Sequence, residues 1–376
     1  MLTTVAVSGY RSLRDVVLPF AALTVITGAN GTGKSNVYRA LRLLSHSAAG
    51  SLIGAIAREG GLPSLLWAGP EFGGDQGTVR KGPIAVRLGF ASDELGYLVD
   101  LGIPQVDQRS LFARDPEIKR EQVFAGPFAK PATLLIDRLR GATRVRDGAW
   151  ISLDQQLAPY ESIITDLADG DTAPELLALR RALGGWRFYD HFRVDPDAPA
   201  RQPQVGTRSQ TLSHGGENLA AVWATIQDAG HGAALDAAVA RAFPGSHVSV
   251  LPSDGRFRLV MAQPGLLRPL ETTELSDGTL RYLLMCAALL PARPAPLIVL
   301  NEPEASLHPD LLEPLGALVA EASARSQVIV VTHAEPLSGA LERKGALTHR
   351  LEAHADGTRI AGQGTLDRPA WHWGSR

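Results

Sequence analysis

Residues Gly28-Ala29-Asn30-Gly31-Thr32-Gly33-Lys34-Ser35 satisfy the pattern G-x-x-x-x-G-K-[ST] without departure. Glycines in such a loop let backbone N–H groups turn inward around phosphate oxygens, and the following helix adds the positive end of its dipole. Lys34 would reach the β- and γ-phosphates, and the Ser35 hydroxyl would bind Mg²⁺. Asn36 follows directly. The chemistry on offer is the holding of a nucleoside triphosphate.

Three further stretches carry groups that could act on one. Leu297-Ile298-Val299-Leu300 is a buried-strand pattern that ends in Asn301-Glu302, with Glu304 nearby. A Walker B strand looks like this but ends in Asp-Glu. Asn301 can still accept from a Mg²⁺-bound water through its amide oxygen, without bringing a charge. Glu302 keeps the role of general base for an attacking water. Some twenty residues earlier, Ser276-Asp277-Gly278 would offer a hydroxyl and N–H groups to an anion at a helix N-terminus; the same triplet also serves as a plain N-cap. Val328-Ile329-Val330-Val331 is a second apolar strand, and it ends in Thr332-His333. That histidine reads either as a hydrogen-bonded loop residue or as a γ-phosphate sensor.

These groups need elements to hold them. Leu23 to Thr27 is a strand rich in β-branched residues, and Val37, Ala40, Leu41 and Leu44 share one face of a helix after the glycine loop. Ile84–Phe90 and Tyr97–Leu101 alternate as an antiparallel pair, and the stretch 50–82 reads as a Gly/Pro-rich loop. Three amphipathic helices follow, on Leu176/Leu179/Leu183, on Leu219/Val222/Trp223/Ile226 and on Leu235/Ala238/Val239/Ala242. Hairpins are expected at Asp254-Gly255 and Asp356-Gly357, with a βαβ rhythm between them that implies a parallel sheet. We therefore expect a nucleotide-binding lobe from 1–147 and 246–376, and a mainly helical inserted lobe over 148–245.

Composition sets outer limits. The chain has 376 residues, which suits two lobes or a domain with an insertion. A formal net charge of −2 excludes a strongly basic nucleic-acid protein, and the single Cys286 excludes disulfide and CxxC frameworks. No secretory h-region and no apolar run of membrane-spanning length is visible, so a cytoplasmic protein without membrane contact is expected. Arg138, Arg140, Arg144 and Arg146 form a basic stretch that could contact phosphates or form a solvated face paired with Asp137 and Asp147. Trp371 and Trp373 could pack on a sheet or on a partner.

In this order the motifs resemble the ABC-type ATPase heads of the RecF/SMC/OLD group, including compact AAA-family ATPases. The resemblance rests on Tyr10-Arg11-Ser12-Leu13, Gly28 to Asn36, Leu275 to Arg281, Asn301-Glu302-Pro303-Glu304 with Ser306-Leu307-His308-Pro309, and Thr332-His333. Trp186 to Tyr189, Phe192-Arg193 and Ser213 to Leu219 also look like that group. It implies an α/β P-loop NTPase of ABC/RecF/SMC-head type, with a mixed sheet core, an antiparallel β part and an inserted helical subdomain. It further implies ATP and Mg²⁺ as cofactors, and a homodimer that sandwiches two ATP molecules. Ser276, Asp277 and Gly278 would then face the γ-phosphate bound by the other chain's Lys34. Ser306 and His308 would lie in the D-loop at that interface, and His333 would be the switch histidine. Gln122, Gln155 and Gln156 are candidates for the Q-loop glutamine. The long coiled coils of an SMC protein and the nuclease domain of OLD proteins have no counterpart in this sequence.

The expected function is an ATP-hydrolysing dimeric switch, in DNA repair or maintenance or in phage defence, with DNA or a separate effector protein as partner. The alternative is a slow or non-hydrolysing regulatory subunit that recruits an effector such as a nuclease. A P-loop kinase is disfavoured by the Ser276–Gly278 and Thr332-His333 elements.

Overall fold

The computed structural model describes residues 1–69, 84–105, 110–168, 170–171, 173–364 and 366–374. The chain opens with the hairpin β1 (Leu2–Tyr10) and β2 (Leu13–Pro19), then β3 (Leu23–Gly28), which runs into the glycine loop and α1 (Lys34–Ala48). Short helices α2 (Leu52–Arg58) and α3 (Leu62–Leu65) follow. Next come β4 (Ala85–Ser92), β5 (Leu95–Gly102), β6 (Glu117–Ala125), β7 (Leu134–Leu139), β8 (Ala142–Asp147) and β9 (Ala149–Ser152). Helices α4 (Ile163–Asp166) and α5 (Pro174–Gly184) precede β10 (Arg187–Tyr189), β11 (Gln204–Val205), α6 (Leu219–Asp228) and α7 (Gly232–Ala242). The chain continues through β12 (His247–Ser253), β13 (Arg256–Ala262), β14 (Leu270–Glu271) and α8 (Asp277–Leu289). It finishes with β15 (Leu297–Asn301), α9 (Leu312–Ser323), β16 (Gln327–Val331), α10 (Glu335–Glu342), β17 (Leu347–His354) and β18 (Gly357–Ile360).

Two compact units emerge, one of 1–21, 28–186 and 349–376 and the other of 22–27 and 187–348. The helices expected together over 148–245 are shared between them: α5 is in the first, α6 and α7 in the second. In the first unit, β2-β1-β4-β5-β6-β7-β8-β9 form an eight-stranded antiparallel sheet. Its β4 and β5 are the antiparallel pair expected over Ile84–Phe90 and Tyr97–Leu101. β6 and β7 carry Lys119, Arg120, Asp137 and Arg138 between their apolar positions, which hid the alternation. The stretch 50–82 departs from the loop expectation where it holds α2 and α3. Leu52, Ala55 and Ile56 are buried there at helical spacing. Its residues 70–82 lie outside the described ones.

The basic stretch is consumed by this sheet. Arg138 and Glu121 stand opposite each other on β7 and β6 with no exposed side-chain surface, 2.7 Å apart. Glu121 also accepts from Tyr97 Oη (2.6 Å), Ser162 Oγ (2.6 Å) and the Ile163 N–H (3.0 Å). The guanidinium donates onward to the carbonyls of Ala158, Arg140 and Glu161. A buried pair this well satisfied positions a strand rather than a phosphate. Arg144 bonds Asp137 at 2.8 Å, and both Arg144 and Arg146 stack on Trp150. Trp371 packs edge-on to Phe124, with centroids 5.9 Å apart, so this tryptophan covers the sheet.

In the second unit, β10, β15, β16 and β3 lie side by side in parallel. β11, β13, β12 and β14 make a small antiparallel sheet whose tight turn places Asp254 and Gly255 at φ 50° and 73°, as an Asp-Gly hairpin requires. α6, α7, α8 and α9 close one core around Trp223, Tyr282, Leu284 and Leu315. Cys286 is buried there, and burial pushes its thiol well above the ordinary range, which makes it an inert core residue. Among the described residues no helix is long and apolar enough to cross a membrane.

Two outcomes test this packing. Arg138→Ala leaves Glu121 buried and unpaired and should cost about 3–5 kcal/mol in denaturant unfolding; a loss below about 1 kcal/mol contradicts the buried pair. His349 bonds the Pro19 carbonyl through Nε2 at 2.7 Å, and burial holds its imidazole below the ordinary 6.5. The unfolded imidazole therefore protonates first as pH falls, so stability present above pH 6.5 is lost below it. Melting curves from pH 8 to 5 should show the wild type losing ground to His349→Gln, and parallel curves would contradict a neutral buried histidine.

Candidate nucleotide site

The glycine loop belongs to the first unit. Gly28, Gly31 and Gly33 have φ of 147°, 82° and 101°, values that L side chains rarely adopt. A Cβ on Gly33 would meet Thr358 Oγ1 at 2.4 Å and Ser12 Oγ at 2.7 Å. Those two hydroxyls form a brace under the loop. Thr358 Oγ1 lies 2.9 Å from both Ser12 Oγ and the Thr32 carbonyl, and Asn36 Nδ2 donates to Ser12 Oγ at 2.9 Å. The Tyr10-Arg11-Ser12 turn thus has a structural reason. Arg11 takes φ 50° to make the turn, is paired with Glu59 at 2.5 Å, and presents Ser12 to the loop. Thr358 on β18 was not among the sequence candidates, because a threonine in a distant hairpin gives no local signal.

Lys34 Nζ donates to the carbonyls of Gly28 (2.7 Å) and Ala29 (2.9 Å), so its ammonium curls back over the loop. Helix α1 starts after Gly33 without a side-chain cap, which leaves its first N–H groups for an anion. Ser35 and Asn30 are exposed there.

The other candidates belong to the second unit. Asn301 ends β15 opposite Val331 of β16, and Glu302 N–H donates to the Val331 carbonyl at 2.8 Å. Glu302 then turns the chain with φ 49°, a strained conformation for a glutamate. Its carboxylate is 41% exposed and lies 3.6 Å from His333 Nδ1. The same imidazole nitrogen is 3.4 Å from Glu304 Oε1. Glu304, the spare carboxylate of the sequence, is instead a buried anchor. Its Oε1 accepts from Thr332 Oγ1 (2.5 Å), His333 N–H (3.2 Å) and Ala334 N–H (3.3 Å). It thereby fixes the loop that carries His333.

Ser276 caps α8 by accepting from Thr279 N–H at 3.1 Å. Asp277 Oδ1 receives Arg201 Nη2 at 2.6 Å, and Arg201 also bonds the carbonyls of Thr272 and Leu275. A Cβ on Gly278 would lie 3.2 Å from the Ser306 carbonyl, so this glycine lets the helix start approach the Ser306 turn. Ser306 has φ 63°. Arg281, one turn further along α8, is 1% exposed and donates through Nη1 to the Ala305 carbonyl. Burial lowers its guanidinium pKa, against the opposing pull of Asp190 and Glu304. His308 caps the next turn, accepting from Asp310 N–H at 3.4 Å. Of the glutamines, Gln122 is buried in β6 and bonds Asp137 at 2.9 Å, whereas Gln155 and Gln156 are exposed.

Asn301 stands out. Its Nδ2 donates to Asp190 Oδ1 at 2.7 Å, while its Oδ1 is buried without a partner. A buried acceptor left unsatisfied costs about 1–3 kcal/mol unless something donates to it. A Mg²⁺-bound water would, and an amide oxygen is among the oxygens a hard cation's water shell bonds.

Glu304→Ala should strand three donors and lower the denaturation free energy by at least about 2 kcal/mol. Thr332→Val, which removes one, should cost about 1 kcal/mol. Equal, near-zero effects in urea titrations would mean that Glu304 does not anchor the loop.

A family model described as "AAA domain, putative AbiEii toxin, Type IV TA system" matches residues 23–337. No curated protein sequence matches the chain. Among solved structures, the chain resembles an SMC head bound to the C-terminal winged-helix domain of ScpA. The identity is 15% and the TM-score 0.51, over 97% of this chain and 98% of that one. The SMC head domain from Thermotoga maritima gives 16% and 0.51 over 97% and 99%. The Pyrococcus furiosus Smc head with an extended coiled coil, bound to the C-terminal domain of ScpA, gives 14% and 0.50 over 96% and 95%. The chain thus has the mixed α/β fold of an SMC head, with both antiparallel and parallel sheets. It belongs to the AAA domain family, a family of P-loop ATPases, whose model it matches over 23–337, and its fold is that of an SMC head.

Proposed function

We propose that this chain binds and hydrolyses ATP and works as an ATP-gated dimeric switch. The observation that carries the reading is the strand-end group. Asn301, Glu302, Glu304 and His333 all leave adjacent parallel strands at one end, and β3 of the same sheet runs into the glycine loop. Ligands of parallel α/β sheets bind beyond the carboxyl ends of the strands.

In this reading the N–H groups of Gly28, Asn30, Gly31 and Gly33 surround the phosphates, with Asn36 bracing the loop. Lys34 leaves its loop carbonyls for the β- and γ-phosphates. Mg²⁺, when bound, neutralises charge on those phosphates; Ser35 would hold it directly and Asn301 through water. Among the described residues no group of three or more His, Cys, Asp and Glu side chains is arranged to hold a metal, and Mg²⁺ in such sites relies largely on phosphate oxygens and water. Glu302 takes the proton of the attacking water. His333 Nδ1, within 3.6 Å of Glu302, senses the γ-phosphate beside it.

Ser276, Asp277 and Gly278 would serve the nucleotide of a second copy, with Ser306 and His308 at the same interface. ATP would favour the joined state by binding it more tightly than the separate one. DNA or a separate effector protein would receive the motion, in DNA maintenance or in defence. The absence of a carboxylate at Asn301 favours a second reading, a slow or non-hydrolysing regulatory subunit that recruits an effector.

ATP hydrolysis measured against protein concentration, with and without duplex DNA and with Glu302→Gln as blank, tests the proposal. The specific rate should climb with concentration, Ser276→Arg should flatten that climb, and Lys34→Ala should abolish ATP binding. Unchanged ATP affinity in Lys34→Ala overturns the site, and a rate independent of concentration overturns the dimer. ATP bound but not hydrolysed above the blank supports the second reading.

A further inference from the structure

The departure at Asn301 has a counterpart one strand away. Tyr189, the last residue of β10, stands opposite Leu300, so Asp190 leaves its strand beside Asn301. Asn301 Nδ2 donates to Asp190 Oδ1 at 2.7 Å. A carboxylate has no proton to give, so only the amide nitrogen can face it. The amide oxygen is thereby turned away from Asp190, and that oxygen is the buried atom without a partner.

Asp190 is itself held in place. Arg281 Nη2 lies 3.3 Å from His191 Nδ1 and 3.4 Å from the Phe192 carbonyl, and its Nη1 bonds the Ala305 carbonyl. The arginine thus clamps the residues that follow Asp190 to the turn that follows Glu304. The Asp190 side chain is exposed, and what fixes it is its backbone and the Asn301 amide.

We propose that Asp190 is a positioning residue for the metal-bearing end of β15. It locks Asn301 with Oδ1 available to a Mg²⁺-bound water, and it supplies from the neighbouring strand the negative charge that an aspartate at 301 would carry. This inference rests on the ATP-binding reading above.

The test compares the affinity of a fluorescent ATP analogue in Mg²⁺ with its affinity in EDTA, so each variant carries its own metal-free reference. Asp190→Asn and Asp190→Ala should lower the Mg²⁺/EDTA affinity ratio about tenfold, the scale on which partners of metal ligands act. Asn301→Asp alone should lower it as well, because an aspartate at 301 has no N–H to donate to Asp190 and the strand-end bond is lost. The double exchange, Asp190→Asn with Asn301→Asp, should recover most of the loss. Thermal melts of the same variants separate this from a structural role. An unchanged ratio in Asp190→Ala, with or without a lower melting temperature, overturns the proposal, and so does a ratio that rises in Asn301→Asp alone. A wild-type chain that binds no nucleotide in either buffer overturns the ATP-binding reading, and this one with it.

Discussion

In the second unit Tyr189 lies opposite Leu300, and Asn301 opposite Val331, which in turn lies opposite Ile26. Parallel pairing in this register makes four strands run out of sheet at nearly the same level. Several groups that could act on a phosphate in this unit sit within a few residues of that edge. Asp190 follows β10, Glu302 follows β15, His333 follows β16, and β3 passes into the glycine loop. Shifting one strand by one residue would reverse the faces of its side chains and withdraw its terminal group from the edge. The apolar runs Leu297–Leu300 and Val328–Val331 are wholly buried, so a slip would draw a polar strand-end residue into the core or push an apolar one out of it. Chemistry at the edge is therefore secured by hydrophobic packing behind it.

Beyond the edge, the loops are held by buried charge. Glu304 gathers the Thr332 hydroxyl and two N–H groups of the His333 loop. Arg281 ties α8 to the Ala305 turn and to the Asp190 segment, and Arg201 ties Asp277 to the preceding loop. Burying such groups adds little net stability, because desolvation offsets much of what their bonds return. What they provide is location. An apolar contact would allow a loop to slide, whereas a guanidinium with several fixed acceptors defines one position. Glu302 and Ser306 keep left-handed backbones that neither residue favours, and these anchors flank both. The first unit uses the same device away from the nucleotide motifs, where Glu121 and Arg138 join β6, β7 and the Ser162 turn.

The glycine loop follows a different logic. Its shape comes from backbone conformations open to glycine, and its support from two hydroxyls, Ser12 and Thr358, brought from opposite ends of the sequence. Lys34 is kept close to the loop by two carbonyls, which holds its charge near the place where phosphate would arrive.

The sequence by itself determined what local chemistry and periodicity can encode. The glycine loop, the two apolar strands, the α5, α6 and α7 faces and the Asp-Gly turns all rest on neighbours within about one or two helical turns. Their order along the chain carried the fold class. Tertiary structure decided what depends on residues meeting from afar. The strands β6 and β7 were hidden because their charged residues are paired inside the sheet, which only pairing reveals. For the arginines near 140 the sequence left phosphate contact and carboxylate pairing both open, and Glu121 and Asp137 take two of them. Glu304 looked spare and is an anchor, because its partners lie almost thirty residues away. Asn301 looked like a lost charge, and the carboxylate its amide bonds stands 111 residues earlier in the chain, just after the next strand. A strand end has two neighbours in space that its own sequence cannot name, and at Asn301 those neighbours are Asp190 and Val331.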